Sequence, residues 1–338
     1  MMKHFHLLIP LCFVAALFLG GCKAFRTASD TTRYSAMGAP YELIVVCQQP
    51  QWEGALGDTL RSVLCAPVSY IDRTEPLFDV LHVTERGFSK LVIKHRNILQ
   101  LRVDPALTAS SVAVQYNVYA SPQVVLTLQG PTITAIIDYL SANRVSLITV
   151  LEKAERDRAI DFAQSYSDPK MNKMIQEKFG VKMSVPKGYL LAKQTDDFMW
   201  FRYEYPAASQ GFMLYSYPYT GEVSLTQAAL EAARLKYAAL IPGPSSGSYM
   251  TTSAIVPVQS AMMRINGRLW VVLRGFWDTE GDFMGGPFVS FSTLDQTTNR
   301  VITLDGYVFS PKLGKRNFIR GVEHLVYLIH VPDVNEVK

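Results

Sequence analysis

The first half of the chain alternates between continuous apolar runs and segments with helical spacing. Tyr41 to Cys47 is a strongly apolar run that predicts a buried strand, and residues 52–64 repeat apolar positions at the spacing of a helix. Further strands are predicted at 78–83, 97–103 and 124–128, with a short helix or turn at 86–94. Strands that alternate with short helices predict an α/β layer.

Residues 131–179 predict two or three helices. Apolar residues keep helical spacing there, and the six charged residues within 152–158 lie between them. This charge run is typical of a solvent-facing helix side, and an interaction face is the alternative. Asp168 before Pro169 predicts the start of a further helix that ends at Gly180, where a domain boundary is expected.

Closely spaced strand-like runs fill the second half of the chain. They lie at 189–193, 198–205, 212–217, 261–265, 269–277, 288–293 and 300–309. Asn266-Gly267 between two of them is a strong hairpin signal. Ser224 with Gln227 has the pattern of a capping box, which opens a helix to Leu240.

We therefore predict an α+β protein. An N-terminal α/β layer is followed by helices, and then by an antiparallel sheet with helices on one face, the last of them at 318–329. The sequence divides into a leader at 1–21, a flexible tether at 22–39, an N-terminal domain at 40–180 and a C-terminal domain at 181–332.

Composition narrows the class of protein. The chain has 338 residues, of which 49% are apolar and 18% charged, and these values exclude a disordered tail or a coiled coil. A formal net charge of +4 is too small for a dedicated nucleic-acid binder. The length allows about two domains of roughly 150 residues.

The N-terminus combines a basic segment containing Lys3 with an apolar stretch from Phe5 to Phe18. About 15 apolar residues make roughly 22 Å of helix, which is short of the ~30 Å core of a bilayer, so the stretch is a leader rather than a permanent span. Leu19-Gly20-Gly21-Cys22 follows and resembles the lipobox of bacterial lipoproteins.

The lipobox resemblance implies a type II signal peptide and a lipid anchor. A peptidase would cut before Cys22, whose thiol would carry a diacylglyceryl group, and acyl chains such as palmitate would hold the protein on the membrane. Lys23, rather than aspartate, favours the outer membrane, and the lack of an acidic run after Cys22 favours the leaflet that faces the periplasm. The alternatives are a secretory leader with an incidental cysteine and a membrane-inserted N-terminus.

Only Cys47 and Cys65 remain for a disulfide once Cys12 leaves with the leader and Cys22 is lipidated. They end a predicted strand and the helix after it, so a helix length of around 18 Å separates them, against the ~7 Å limit on the Cα separation of a disulfide. We expect two buried free thiols. The chain has no C-x-x-C pattern to support a redox or zinc site.

Two serine motifs lack the structural context that catalysis needs. Residues 243–247 spell G-x-S-x-G, but this segment is all Pro, Gly and Ser and predicts a loop in place of the strand and helix of a hydrolase elbow. Residues 184–187 spell S-x-x-K, but Pro186 breaks the helical turn that the pair would share. Neither motif supports a nucleophile.

Asp278, Glu280 and Asp282 alternate in a loop that contains glycine. Calcium loops place oxygen ligands in this way, but the rest of the EF-hand pattern is missing, and an exposed hairpin tip explains the same residues. No cofactor or metal is expected, and this loop is the first place to look for an ion or polar ligand. The remaining histidines have no metal-ligand spacing and are expected to be hydrogen-bonded structural residues: His82, His95, His324 and His330.

Aromatic side chains alternate along two neighbouring predicted strands. The residues are Phe201, Tyr203, Tyr205, Tyr215, Tyr217 and Tyr219. An exposed stripe of this kind binds a glycan or a peptide, whereas a stripe covered by a helix is core. The buried interpretation is favoured.

Basic residues cluster at the start of the last predicted helix: Lys312, Lys315, Arg316 and Arg320. Positive charges there oppose the helix dipole, which argues for an anionic partner such as phosphate or lipid headgroups. An ordinary solvated turn is the favoured alternative.

Five short motifs carry a family resemblance: QEKFG at 176–180, VPKGY at 185–189, FMW at 198–200, MGGPFVS at 284–290 and KR at 315–316. With the element order from 40 to 330, they resemble an uncharacterised lipoprotein family of the Bacteroidota. That family has no assigned activity, so the resemblance implies an envelope location and one continuous fold, and no catalytic residue. The second half also resembles PsbP-type and Mog1-type sandwiches in fold.

Three hypotheses of function follow. The favoured one is an outer-membrane lipoprotein whose periplasmic body binds or scaffolds, with an envelope protein or glycan as partner and no nucleic acid. The second is an envelope hydrolase, which is less favoured because catalytic spacings are missing, and which a histidine among carboxylates in a pocket would support. The third is a glycan or solute binder, which exposed Tyr203, Tyr215 and Tyr217 would support.

Overall fold

The apolar run after Tyr41 forms an internal strand of a five-stranded sheet, as its pattern predicts. The computed structural model describes residues 34–336, so the predicted leader, Cys22 and most of the tether lie outside the described residues. The first half consists of β1 (Tyr34–Ser35), β2 (Glu42–Val46), α1 (Gln49–Glu53), α2 (Ala55–Leu64), β3 (Asp79–Val83), β4 (Asn97–Val103), β5 (Ser111–Tyr116), β6 (Ala120–Ser121), β7 (Val124–Gly130), α3 (Ile133–Ser165) and α4 (Pro169–Phe179).

The five-stranded sheet has the order β3, β2, β4, β7, β5. The first four strands are parallel, and β5 pairs antiparallel with β7 at the edge. Helices α2 and α3 contribute to the core on one face, where Leu60, Leu99 and Leu151 are fully buried. The predicted α/β layer is confirmed, although the edge strand β5 was not predicted because most of its residues are exposed and give no clear period.

Helix α3 has 33 residues and begins at the cap residue Thr132, whose side chain accepts a hydrogen bond from the backbone of Ala135. A kink occurs at Asn143, where the backbone leaves helical geometry and the side-chain amide donates to the carbonyl of Tyr139 at 2.9 Å. By length and composition α3 could cross a membrane. Its buried Leu140 packs in the core under the parallel sheet, so we describe α3 as a core helix of this half.

Helix α4 begins and ends as its sequence predicts. The side chain of Asp168 accepts hydrogen bonds from the backbone N–H groups of Lys170 and Met171. The helix ends at Gly180, whose φ of 72° is the left-handed conformation that glycine adopts readily. Phe179 packs in the core of the second half. The domain boundary at Gly180 stays a prediction.

The second half is built on an antiparallel sheet of eight strands. Its elements are β8 (Lys182–Met183), β9 (Leu190–Gln194), β10 (Phe198–Glu204), β11 (Ser209–Pro218), α5 (Gln227–Ala238), β12 (Tyr249–Thr252), β13 (Gln259–Ile265), β14 (Arg268–Glu280), β15 (Gly285–Asp295), β16 (Arg300–Phe309), α6 (Arg316–His324) and β17 (Ile329–His330). The strand order is β12, β14, β15, β16, β11, β10, β9, and β13 also pairs with β14. A 3₁₀ turn at Leu325–Leu328 follows α6, so the last helix is shorter than predicted.

Helices cover both faces of this sheet, whereas the sequence predicted helices on one face. Helices α4 and α6 share a core with Phe212 on one side, and α5 shares a core with Tyr215 on the other. The reason is visible in β10 and β11, where successive residues are apolar and buried on both sides. The α+β class is confirmed.

The predicted hairpin turn forms at Asn266 and Gly267, which have φ values of 49° and 82° as a type I′ turn requires. The predicted capping box is wrong, because Thr226 is the cap of α5 and accepts from the backbone of Ala229 at 3.4 Å. Ser224 lies two residues earlier, in a 3₁₀ segment. Thr226 therefore takes the capping role that the pattern assigned to Ser224, by accepting a backbone N–H at the start of α5.

Candidate functional site

A cleft of about 610 Å³ opens beside α3 and α6, next to the segment that leads into β2. Its walls combine apolar side chains, among them Pro40 and Phe162, with the guanidinium groups of Arg96, Arg158 and Arg320. A cleft of this size is in the range of small-molecule sites. We describe it as the candidate site because buried charged groups converge there.

Glu155 on α3 is the centre of the first charged group and is 3% exposed. Its Oε1 accepts hydrogen bonds from Asn97 Nδ2 at 2.6 Å and pairs with Arg158 Nη2 at 2.8 Å, and its Oε2 pairs with Arg96 Nη2 at 2.9 Å. Arg158 also donates to Asn97 Oδ1 at 2.6 Å. One carboxylate therefore neutralises only one of two guanidinium groups.

Arg320 on α6 is the centre of the second charged group. It pairs through Nη2 with Glu152 at 2.8 Å and through Nη1 with Glu323 at 3.1 Å. Glu323 also pairs with Arg274. The guanidinium of Arg156 lies 4.5 Å from the ring centre of Tyr327. Arg320 and Arg274 are therefore matched by two carboxylates, and Arg156 adds a positive charge beside Tyr327.

Of these residues, Arg96, Arg158 and Arg320 line the cleft together with one glutamate, Glu155. Asp161 also lines the cleft, but it is exposed to solvent at the rim. The buried Nε–H groups of Arg96, Arg158 and Arg320 have no hydrogen-bond partner within the described chain. Since buried donors are normally satisfied, the cluster is short of acceptors.

His324 and Tyr41 form the neutral part of the cleft. Burial, together with the positive charge of Arg320, lowers the pKa of His324 to about 4, although Glu323 opposes the shift. Burial raises the pKa of Tyr41, whose hydroxyl lies 3.5 Å from His324 Nε2. Both side chains are therefore uncharged near pH 7, and they do not titrate where general acid–base catalysis needs them to.

The charge run at 152–158 was predicted to face solvent, and that interpretation is wrong. Glu155 is buried, and the side chains of Arg158 and Glu152 are 9% and 17% exposed. These residues lie one turn apart beside the buried stripe of α3, so they face the cleft. The exposed pair of Lys153 and Asp157 alone behaves as predicted.

The basic cluster before α6 is also not a solvated turn. Lys315 and Arg316 are buried, at 3% and 5% exposure. Lys315 pairs with Asp72 at 2.7 Å, Arg316 pairs with Asp79 at 2.6 Å, and the backbone N–H groups of both residues donate to Glu75. Acidic residues of the first half therefore hold the start of α6.

Asp282 of the predicted ion loop accepts hydrogen bonds from the Ser245 hydroxyl and the backbone of Phe283. These hydrogen bonds lower the pKa of Asp282. Asp278 accepts from the backbone next to it, and Glu280 ends β14 in an exposed position. Among residues 34–336 no group of three or more His, Cys, Asp or Glu side chains could hold a metal ion. A ligand role for this loop stays a prediction.

The aromatic stripe is core. Tyr215 is 1% exposed and stacks on Tyr237 with ring centres 4.2 Å apart. Tyr203 is half-buried against Tyr189 in the core on the opposite face of the sheet. The stripe is therefore buried at Tyr215 and half-buried at Tyr203, as the favoured interpretation expects, whereas Tyr205 is 36% exposed. A glycan-binding role stays a prediction.

The remaining candidates have structural roles. Cys47 and Cys65 are free, with the first buried and the second half-buried. Residues 243–247 form a loop, as predicted. Three histidines accept or donate ordinary hydrogen bonds, as expected: His82 to the Cys47 carbonyl, His95 to Glu42 and His330 to Glu336.

Comparison with known families divides the described chain in two. Residues 36–164 match a family described as Domain of unknown function (DUF8532), and residues 168–327 match one described as Domain of unknown function (DUF4837). The two matches together cover most of the described residues, and both are to uncharacterised families. Arg158 comes from the first matched range and Arg320 from the second, so the cleft lies where the two meet.

Solved structures with a likeness to the chain include two of Mog1. A point mutant of protein Mog1 is 9% identical, with a TM-score of 0.31, and the match covers 46% of this chain and 92% of that one. The Ran-binding protein Mog1p of Saccharomyces cerevisiae is 8% identical, with a TM-score of 0.32, and covers 46% and 94%. No curated protein matches the sequence.

Proposed function

We propose that this protein is a lipid-anchored lipoprotein of the cell envelope whose folded body binds an anionic ligand in the arginine-lined cleft. Leu19-Gly20-Gly21-Cys22 after an apolar leader supports the anchor. Lys23 supports the outer membrane, and the lack of an acidic run after Cys22 supports the leaflet that faces the periplasm. The body acts by binding, because the cleft offers guanidinium groups and hydrogen-bond donors, and its His324–Tyr41 pair is uncharged near pH 7.

The excess of positive charge in the cleft carries the binding proposal. A guanidinium group donates two parallel hydrogen bonds to a carboxylate or phosphate, and it does so most strongly where water is excluded. Arg158 and Arg320 line the cleft from two sides. Arg158 shares the single carboxylate of Glu155 with Arg96, and the Nε–H groups of Arg158 and Arg320 have no acceptor within the described residues. An anionic ligand supplies the acceptors that the cluster lacks.

The anchor is tested by growing cells that make the protein with labelled palmitate. The label enters the full-length protein and co-sediments with membranes, and Cys22→Ala loses both the label and the membrane association. Cys47→Ala, which removes a buried thiol of the body, keeps the label. A labelled Cys22→Ala protein would show that the lipid is attached elsewhere.

Anion binding is tested by calorimetric titration of the full-length protein in phosphatidylcholine nanodiscs with phosphate and with acetate. We expect saturable binding that Arg158→Gln weakens about tenfold, since one good charge-assisted contact is worth roughly that factor. Arg144→Gln is the matched control, because Arg144 is exposed on the same helix. Equal affinities for all three proteins, or no heat of binding, would contradict the proposal.

An envelope hydrolase is the second candidate, because His324 and Glu155 line the same cleft. If the cleft is catalytic, purified protein hydrolyses an ester or glycan substrate and His324→Gln abolishes the activity. If the cleft is a binding site only, neither the original protein nor the His324→Gln variant hydrolyses the substrate.

A further inference from the structure

Two aromatic side chains stand exposed at the mouth of the arginine-lined cleft. Phe162 is 63% exposed and Tyr166 is 54% exposed, although both line the cleft. Their rings lie 4.8 Å apart at a tilt of 38°, on the last turn of α3 and the residue that follows it. Large aromatic surface of this kind is normally buried unless a ligand or partner covers it.

The same turn of α3 carries the charged part of the cleft. Arg158 lies one turn before Phe162, and Phe162 one turn before Tyr166, so the three side chains follow one helix face from the buried charges to the rim. Ala159 and Pro40 add apolar wall between them. The cleft therefore has arginines at its floor, and its mouth carries the aromatic pair beside the exposed carboxylate of Asp161.

We propose, resting on the anion-binding function above, that the ligand is a single-chain anionic amphiphile. Its carboxylate or phosphate head contacts Arg158 and Arg320, and its chain runs over Phe162 and Tyr166. A small inorganic anion leaves the aromatic pair uncovered, and an uncharged chain leaves the arginines unneutralised. A ligand that joins both chemistries satisfies both ends of the cleft.

The position of the cleft favours a lipid source for this ligand. Ala36, near the end of the tether, lines the cleft. The fourteen peptide units between Cys22 and Ala36 span at most about 50 Å even when fully extended. An anchored protein therefore keeps this cleft close to the membrane surface, where single-chain amphiphiles are released and taken up.

The test compares matched probes on the full-length protein in phosphatidylcholine nanodiscs, with empty nanodiscs as background. The probes are acetate, octanoate, octyl phosphate and octanol. We expect octanoate or octyl phosphate to bind at least about tenfold more tightly than acetate, and octanol not to bind, because head and chain contribute together. Preference for octanoate indicates a fatty acid, and preference for octyl phosphate indicates a lysophospholipid-type head.

Variants of the protein distinguish the contribution of the ligand's charged head from that of its acyl chain. The double variant Phe162→Ala with Tyr166→Ala should weaken the affinity for octanoate about tenfold and leave the affinity for acetate unchanged. The control Phe283→Ala removes a fully exposed ring outside the cleft and should change neither affinity. Because these side chains are exposed, folding is not at stake. If acetate binds and octanoate binds no better, the amphiphile proposal is wrong while the anion site stands. If neither binds, both proposals are wrong.

Discussion

Individual charged residues of α3 show where the sequence pattern misleads. Glu155 and Arg158 have the spacing of an exposed ion pair, yet both side chains are almost fully buried, because Arg96 and Asn97 at the start of β4 pair with them from a distant part of the chain. A signal was present in the sequence, since Glu152, Glu155 and Arg158 recur every three residues next to buried Leu151 and Ala154. Charged residues directly beside an apolar helix stripe indicate a buried ion-pair network.

Removing the shared carboxylate tests how tightly the two arginines depend on it. Glu155→Gln leaves Arg96 and Arg158 buried without a counter-charge, so we expect a loss of about 3–5 kcal/mol in the free energy of unfolding. Asp157→Asn, on the exposed side of the helix, should cost at most about 0.5 kcal/mol. Urea unfolding measures both, and equal costs would show that Glu155 is not the centre of the network.

His324 makes stability depend on pH. Its pKa is about 4 in the folded protein and 6.5 as an ordinary histidine, so between these values the unfolded chain binds a proton that the folded protein excludes. The free energy of unfolding is therefore highest above pH 6.5 and falls by up to about 3 kcal/mol as the pH approaches 4. Glu323 has a pKa of about 2, lowered from 4.5, and adds its own loss only below pH 4.5.

The measurement is urea unfolding at several pH values between 7 and 4.5. His324→Gln should flatten the decline, and His330→Gln, which changes an exposed histidine paired with Glu336, should leave it unchanged. An unaltered decline in His324→Gln would assign the pH dependence to another group.

At the scale of elements, the sequence predicts what local chemistry decides. The caps of α4, the type I′ turn at Asn266 and most strand positions follow from residue type and period. The edge strand β5, the kink at Asn143 and the second layer of helices do not, because each depends on what packs against it. The sequences of β10 and β11 are apolar at successive positions, a pattern that indicates a sheet covered on both faces. The second layer of helices could have been predicted from it.

Helix α5 is joined to the sheet by a fully buried ion pair. Arg234 Nε lies 2.9 Å from Asp305 Oδ2, both side chains are 0% exposed, and the guanidinium lies 3.5 Å from the ring centre of Phe288. Burial raises the pKa of Asp305, although Arg234 opposes the shift. Removing the two charges from water costs several kcal/mol for each ion, so either charge left buried without the other would strongly destabilise the fold.

We expect Asp305→Ala to lower the free energy of unfolding by about 3–5 kcal/mol, because it leaves Arg234 buried and unpaired. Asp305→Leu combined with Arg234→Met should recover most of that loss, since apolar residues of similar size need no partner. Thermal and urea unfolding of the two proteins check this. A double variant as unstable as the single one would show that packing, rather than charge, sets the cost.

At the scale of the whole molecule, the α+β class follows from the order of elements, but the cleft does not. Its arginines come from positions 96, 158 and 320, and no pattern along the chain relates them. The acidic residues Asp72, Glu75 and Asp79 that hold the start of α6 are equally remote in sequence. A site assembled by the meeting of two matched domains becomes visible only in three dimensions.

The central claim is that this meeting creates an anion site, and anomalous X-ray diffraction tests it most directly. Crystals of the full-length protein grown with selenate, a heavy analogue of sulfate and phosphate, would reveal bound anions by their selenium signal. The account predicts a peak within hydrogen-bond distance of Arg158 or Arg320, and its loss in Arg158→Gln. Selenate peaks on the surface alone, with none in the cleft at saturating concentration, would contradict it.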